Sequence, residues 1–500
     1  MSPTLNRRQF VASCGGTAAA SLIPSIPAFG KSAQISPTTL SQDPLRPQYH
    51  LLPAANWMND PNGPIYWNGN YHVFYQYNPG AARWGDMHWA HAVSPDMIHW
   101  HHLPIALSPN PVGPDRDGCF SGSAVVHNGV PTILYTGVRS TSPEDATLRD
   151  GTHNFHESQC IATSHDPELR TWTSERRPVI PGPPVSLAVT GFRDPCVWKD
   201  GLHWYMALGS GFPKRGGCVL LYRSRDLRSW EYLHPLIVGE WNGISKTDPV
   251  DSGEMWECPD FFELDGKHVL LYSTERKVYW LIGRLDRESM IYHPESHGLL
   301  DTGAFYAPKS ILDHGGKRIL WGWIPETRPQ AEYLKAGWAG AVALPRVLSI
   351  SKDMRLSMRP LPELSALRDP ATNKTIAPFF SNFSGEILAS FDRSSQVSSL
   401  TIGSFDHPYL TVAYHASDPG HIEIDGEKLE LADLPTDNLE LHIFMDGSIL
   451  EVFINMSGAH TKRVYNLDLN SPRTSVLVSG DVRYLMAWQL RPISRNRLTT

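Results

Sequence analysis

From about Leu45 to Leu348, short apolar runs alternate with tight polar turns, and one phrase returns five times. Asn68-Gly69 leads into His72-Val73-Phe74-Tyr75, Asn128-Gly129 into Ile133-Leu134-Tyr135, and Asp200-Gly201 into Trp204-Tyr205-Met206. Asp265-Gly266 precedes Val269-Leu270-Leu271-Tyr272, and Gly315-Gly316 precedes Ile319-Leu320-Trp321. Each is a hairpin signal, because Asn-Gly and Asp-Gly supply the positive φ that a two-residue antiparallel connection needs. A second phrase of Ser, Asp, Trp and Pro follows three of them: Ser94, Asp96, Trp100, Pro104; Ser164, Asp166, Trp172, Pro178; Ser224, Asp226, Trp230, Pro235. Several short strands per unit, repeated five times, predict a five-bladed β-propeller over 45–348. A β-sandwich with long insertions is the competing arrangement; the regular count favours the propeller.

The pattern changes after Pro345-Arg346. Residues 349–370, with Pro360-Leu361-Pro362-Glu363-Leu364, read as a linker holding a brief helix. Over 371–500 a period of two returns, as in Leu410-Thr411-Val412-Ala413-Tyr414 and in Leu441-His442-Ile443-Phe444, which Asp446-Gly447 joins to Ile449-Leu450-Glu451-Val452-Phe453. This half predicts a separate antiparallel β-sandwich, so the expected class is all-β: a five-bladed β-propeller followed by a C-terminal β-sandwich.

Residues 1–33 stand apart. Arg7-Arg8-Gln9-Phe10, an apolar run of small residues from Val11 to Ile26 and then Pro27-Ala28 predict a twin-arginine export signal and a periplasmic or secreted protein. No later run is apolar enough to span a membrane. A net charge of -7 leaves no basic stripe, which excludes nucleic acid as the expected partner. Beyond Cys14 remain Cys119, Cys160, Cys196, Cys218 and Cys258, an odd set without a C-x-x-C pair, which predicts buried free thiols.

The first strand of each repeat opens on polar residues where its remainder is apolar. These openings are Asn59-Asp60-Pro61-Asn62-Gly63, Phe120-Ser121-Gly122-Ser123, Phe192-Arg193-Asp194-Pro195, Trp256-Glu257-Cys258-Pro259-Asp260 and Phe305-Tyr306-Ala307-Pro308. The innermost strand of every propeller blade faces the axis, so the five openings converge on one funnel. Asn-Asp-Pro or Arg-Asp-Pro alone reads as a turn; recurrence at equivalent blade positions favours a site. Three carboxylates in one pocket cannot all ionise freely, which is the condition a two-carboxylate glycosidase exploits. Asp60, on a turn stiffened by Pro61 and opened by Gly63, suits the nucleophile, and Glu257, on a longer arm, suits the proton donor. Asp194 beside Arg193 is expected to stay ionised and to accept hydrogen bonds from sugar hydroxyls.

Trp57-Met58-Asn59-Asp60-Pro61-Asn62-Gly63, Phe192-Arg193-Asp194-Pro195 and Trp256-Glu257-Cys258-Pro259-Asp260 resemble the three signature blocks of glycoside hydrolase family 32, the invertases, inulinases, levanases and fructan exohydrolases. Gly337-Trp338-Ala339-Gly340 and Leu450-Glu451-Val452-Phe453-Ile454-Asn455 also resemble family segments. The resemblance implies a propeller followed by a sandwich, and release of β-linked fructose from sucrose or fructans through a covalent fructosyl-enzyme. It implies Asp60 as nucleophile, Glu257 as acid/base and Asp194 as transition-state stabiliser, with Asn59, Gln76, Trp84, Phe120, Ser121, Arg193 and Trp338 lining the fructose subsite. It implies no metal and no organic cofactor. His99-Trp100-His101-His102 is a weak metal motif, because alternate strand positions face opposite ways.

Two rival readings keep the same funnel: a fructosyltransferase and a non-catalytic fructan-binding protein. Many invertases of plants carry paired aspartates soon after the acid/base block, where this chain has Ser273-Thr274, with Glu275 and Arg276 as candidates to substitute. The loop from Ser140 to Phe155 is a candidate to shape outer subsites, and the sandwich is expected to be structural.

Overall fold

The protein is seen here in a computed structural model that describes residues 35–498 apart from 371–377, 393–396, 405, 417–419, 430–437 and 472. The predicted export signal, 1–33, lies outside the described residues. Among the described residues the strands form seven sheets. Five of them follow one another along the chain, and their inner strands are Asn56–Trp67, Cys119–His127, Phe192–Asp200, Glu257–Leu264 and Tyr306–Leu312. Each packs against the next, and the fifth returns to pack against the first, which closes a ring of five blades, I to V in that order.

Three of the five hairpin signals act as read; at the other two only Gly201 (φ 59°) and Gly316 (φ 83°) turn positive. Asn68 and Gly69 have φ of 47° and 82°, Asn128 and Gly129 51° and 77°, and Asp265 and Gly266 49° and 76°, the double positive φ of a type I′ turn. The Ser-x-Asp phrase is also explained. Asp96 Oδ1 accepts the backbone N–H of Ile98 (3.0 Å) and His99 (2.8 Å), while the Ser94 hydroxyl donates to it at 3.0 Å, folding the chain between third and fourth strands. Asp226 does the same with Arg228 and Ser229. Asp286 repeats it in blade IV, accepting from Glu288 at 2.9 Å without a preceding serine, so the motif is wider than the sequence reading had it. His99 is spent on that turn, its Nδ1 2.8 Å from Asp96 Oδ2.

The ring is sewn shut by a short segment. Trp338–Ala339 pairs in parallel with Asn56 and Trp57 of blade I, while Ala341–Val342 pairs with Trp323 and Ile324 of blade V. Between them Gly340 turns at φ 82°, where a Cβ would meet the Met58 carbonyl oxygen at 2.2 Å. Any other residue would both strain the backbone and push blade I outward.

The expected boundary at 348 is corrected. The fifth sheet contains Arg346–Ile350 and Leu356–Pro360, so the propeller reaches Pro360 and takes in much of the expected linker, 349–370. The turn between these strands runs through Ser351 and Met354, the latter at φ 57°, and lacks any Asn-Gly or Asp-Gly pair to announce it. The brief helix is the 3-10 turn Pro362–Leu367.

The last two sheets, one led by Ser384–Asp392 and Asn438–Asp446, the other by Val397–Gly403 and Pro408–His415, enclose their own apolar core and form the sandwich. Buried charge fixes it to the propeller. The Arg346 guanidinium lies 2.9 Å from Asp301 and 2.7 Å from Glu451, and His50 bridges Asp446 (2.8 Å) and Glu451 (2.9 Å), all fully buried. Burial works against a charged His50, but hydrogen bonds to both carboxylates outweigh it and raise its pKa.

Candidate active site

Every inner strand bulges where its sequence turns polar. The ladder slips between Met58 and Pro61, Phe120 and Gly122, Arg193 and Cys196, Glu257 and Asp260, and Tyr306 and Lys309. A bulge releases residues from pairing and re-aims their side chains. Those released here are Asn59-Asp60, Ser121, Asp194-Pro195, Cys258-Pro259 and Ala307-Pro308. Proline suits the gap because it has no N–H to lose from the ladder. Asp194, Cys258 and Ala307 carry φ of 65°, 49° and 51°, a strain of about 1–3 kcal/mol each that the packed ring holds in place.

Asp60 is clamped. Its Oδ2 accepts the Ser121 hydroxyl at 2.6 Å and its Oδ1 the Asn59 amide at 2.9 Å. Asn59 also donates to Gln76 Oε1 (2.8 Å), and Gln76 in turn donates to the Ser121 oxygen (2.6 Å), so the serine proton is committed to Asp60. The Trp57 indole N–H donates to Asn59 Oδ1 at 2.8 Å. Four polar side chains thus fix one carboxylate that is only 1% exposed.

Glu257 has other partners. Its Oε1 lies 2.9 Å from Arg193 Nη2, and its Oε2 accepts the Tyr306 hydroxyl at 2.8 Å. Arg193 is shared with Glu157 at 2.8 Å. Tyr306 stood in the fifth opening without an assigned role. Glu157 was missed altogether, since it sits inside the third strand of blade II, Asn154–Thr163, with no motif around it.

Asp194 is a weaker acid than an ordinary aspartate. Burial pushes its pKa up to about 6, although Arg193 pulls the other way, and Glu257 and Asp60 add to the rise. Burial and the two neighbouring carboxylates outweigh the arginine. Asp194 Oδ2 accepts the Cys258 backbone N–H at 2.9 Å. The Cys258 sulfur is 3.4 Å from that oxygen and 3.7 Å from Asp60 Oδ2. Burial and the surrounding carboxylates raise the thiol pKa well above normal, so it remains an S–H donor between two acids.

Phe120 packs edge-on against Trp84, centroids 5.9 Å apart, and against Phe155 from the Ser140 to Phe155 loop at 5.7 Å. Trp338 is a correction. Its ring is wholly buried, its N–H is given to Asp43 (2.7 Å) and Arg328 stacks on its face at 4.4 Å, so it supports the blade I closure and offers no face to a sugar.

A cavity of about 440 Å³ begins at Glu257 and Tyr306 and runs between blades IV and V and the sandwich. Asp60 and Asp194 do not line it. Its charged lining includes Asp248, Asp251, Arg276, Glu326, Glu427 and Lys462, so the sandwich forms part of the wall. Ser273 and Thr274 are turned inward, the one accepting the Ala307 N–H and the other donating to Val250 and Met255 carbonyls. The acidic pair facing the cavity comes instead from Asp248 and Asp251, ahead of the acid/base block, and Arg276 joins them.

A clamped carboxylate and a second one held by arginine and tyrosine, at the axis of a five-bladed propeller, define a carboxylate glycosidase. Residues 50–360 match the glycosyl hydrolases family 32 N-terminal domain and 381–486 the family's C-terminal domain. The chain belongs to glycosyl hydrolase family 32. It is 36% identical over 460 residues to a sucrose-6-phosphate hydrolase of Escherichia coli, covering 84% of this chain and 89% of that one. It is 35% identical over 451 residues to a raffinose invertase of Escherichia coli, with the same coverage. Among solved structures, a mutant Bombyx mori β-fructofuranosidase in complex with sucrose superposes with a TM-score of 0.75 at 30% identity, covering 91% of this chain and 96% of that one.

Proposed function

We propose that the protein hydrolyses terminal β-linked fructose from sucrose and fructans with retention of configuration. The observation that carries this is the contrast between two carboxylates: Asp60 fixed by Ser121 and Asn59, Glu257 by Arg193 and Tyr306. Asp60 attacks the anomeric carbon while Glu257 gives its proton to the leaving oxygen; Glu257 then takes a proton from water, whose oxygen displaces Asp60. Asp194 accepts hydrogen bonds from fructose hydroxyls, and Trp84 and Phe120 supply an apolar flank.

The leaving group is an uncharged sugar. The three cations that line the cavity beside Glu257, Arg276, Lys462 and Arg463, are all engaged. Arg276 lies 3.6 Å from Asp251, Lys462 2.5 Å from Asp425, and Arg463 donates to the Ile324 and Pro325 carbonyls. A phosphate dianion would have to displace those partners to gain a cation there. The twin-arginine pattern of 1–33 supports action outside the cytoplasm.

Sugar release from sucrose, sucrose-6-phosphate, inulin and levan tests the proposal, with Asp60→Ala as control. Free fructose from sucrose that disappears in the control is expected. Net formation of longer oligosaccharides, or equal release by Asp60→Ala, would overturn it.

A further inference from the structure

We propose that Glu157 is a positioning residue that keeps Arg193 shared between two carboxylates, and so leaves Glu257 able to hold the proton it must donate. This rests on Glu257 being the acid/base. A guanidinium 2.9 Å from a buried carboxylate ordinarily lowers that carboxylate's pKa by about 1–3 units, which would strip the acid of its proton. Here Arg193 has a competing partner. Its Nη1 lies 2.8 Å from Glu157 Oε1, with side-chain exposures of 2% and 0%. Glu157 is itself fixed in place, its Oε2 accepting the Phe192 backbone N–H at 2.6 Å and the Thr147 hydroxyl at 3.0 Å. Burial opposes the charge on Arg193, and Glu157 is the largest of the carboxylates that restore it, ahead of Glu257, Asp194 and Asp248.

The surroundings of Glu257 leave Glu157 as the controlling group outside the reacting set. Blade III presents Arg193 and Asp194, blade I Asp60, blade V Tyr306, and its own strand Cys258. Asp248, Asp251, Arg276 and Lys462 face it along the cavity. Removing the Glu157 charge leaves these groups in place but takes from Arg193 its principal carboxylate partner, so the positive field at Glu257 is no longer offset by a like charge behind it. That change lowers the proton affinity of Glu257.

The experiment is the pH dependence of kcat/KM on sucrose for the wild type, Glu157→Gln and Glu157→Asp. The basic limb of Glu157→Gln is expected about one pH unit lower, a roughly tenfold rate loss above the limb with kcat below it changed less than about threefold. Glu157→Asp returns the limb toward the wild-type position. An unmoved limb in folded Glu157→Gln protein overturns the proposal. Should that variant fail to fold, Thr147→Val, which weakens the hold on the Glu157 charge, is expected to shift the limb the same way by less; an unmoved limb there overturns it. Wild-type turnover by Glu257→Gln would instead break the underlying assignment.

Discussion

The Ser121 hydroxyl donates to Asp60 Oδ2 across 2.6 Å and so ties the inner strand of blade II to that of blade I. Its oxygen is occupied by Gln76, so no other acceptor competes for the proton. Ser121→Ala should reduce kcat by roughly 10- to 100-fold, the worth of one hydrogen bond to a charged group, with KM changed less. Steady-state kinetics on sucrose check this.

Asp60→Asn and Glu257→Gln each remove a reacting group without emptying packed volume. Both should lose activity by roughly 10⁴-fold or more while the midpoint of thermal unfolding moves by no more than a few degrees. Paired activity and calorimetry distinguish this from unfolding.

Asp194 reports the stability that the site gives up. Its folded pKa of about 6 lies above the ordinary 3.8, so the folded protein holds the proton more tightly, and this contribution to stability is lost as pH rises from about 4 to 6. Asp194→Asn should therefore stabilise the protein at pH 7, by about 3 kcal/mol at most, with the gain shrinking as pH falls through that window. Denaturant unfolding at pH 4.5 and 7 measures the difference, and fructose release should fall sharply.

Glu451→Ala leaves buried Arg346 and His50 without a principal partner. The expected cost is about 3–5 kcal/mol, read as a lower denaturant midpoint. Turnover per folded molecule should stay near wild type, because the network holds domains together away from Asp60.

Asp251→Asn releases Arg276 at the cavity wall and removes one negative charge. The ratio of kcat/KM for sucrose-6-phosphate to that for sucrose should rise at least threefold. A falling ratio would place the leaving group elsewhere.

What the sequence determined by itself was local or periodic. The turns at Asn68-Gly69, Asn128-Gly129 and Asp265-Gly266 demand φ values that few other pairs adopt cheaply, so the blades could be counted from spacing alone, and the five polar openings then named Asp60, Asp194 and Glu257. The end of the propeller was not legible, because the turn at Met354 has no such pair. Tertiary structure alone decided how the carboxylates differ. The raised pKa of Asp194, the thiol of Cys258 between two acids and the Glu157 that shares Arg193 all come from residues far apart in sequence. It also decided that Trp338 is a support, and that the sandwich helps wall the cavity. Proton affinity in a dry interior is set by every charge within a few ångströms, whichever strand carries it, and that neighbourhood exists only once the ring has closed.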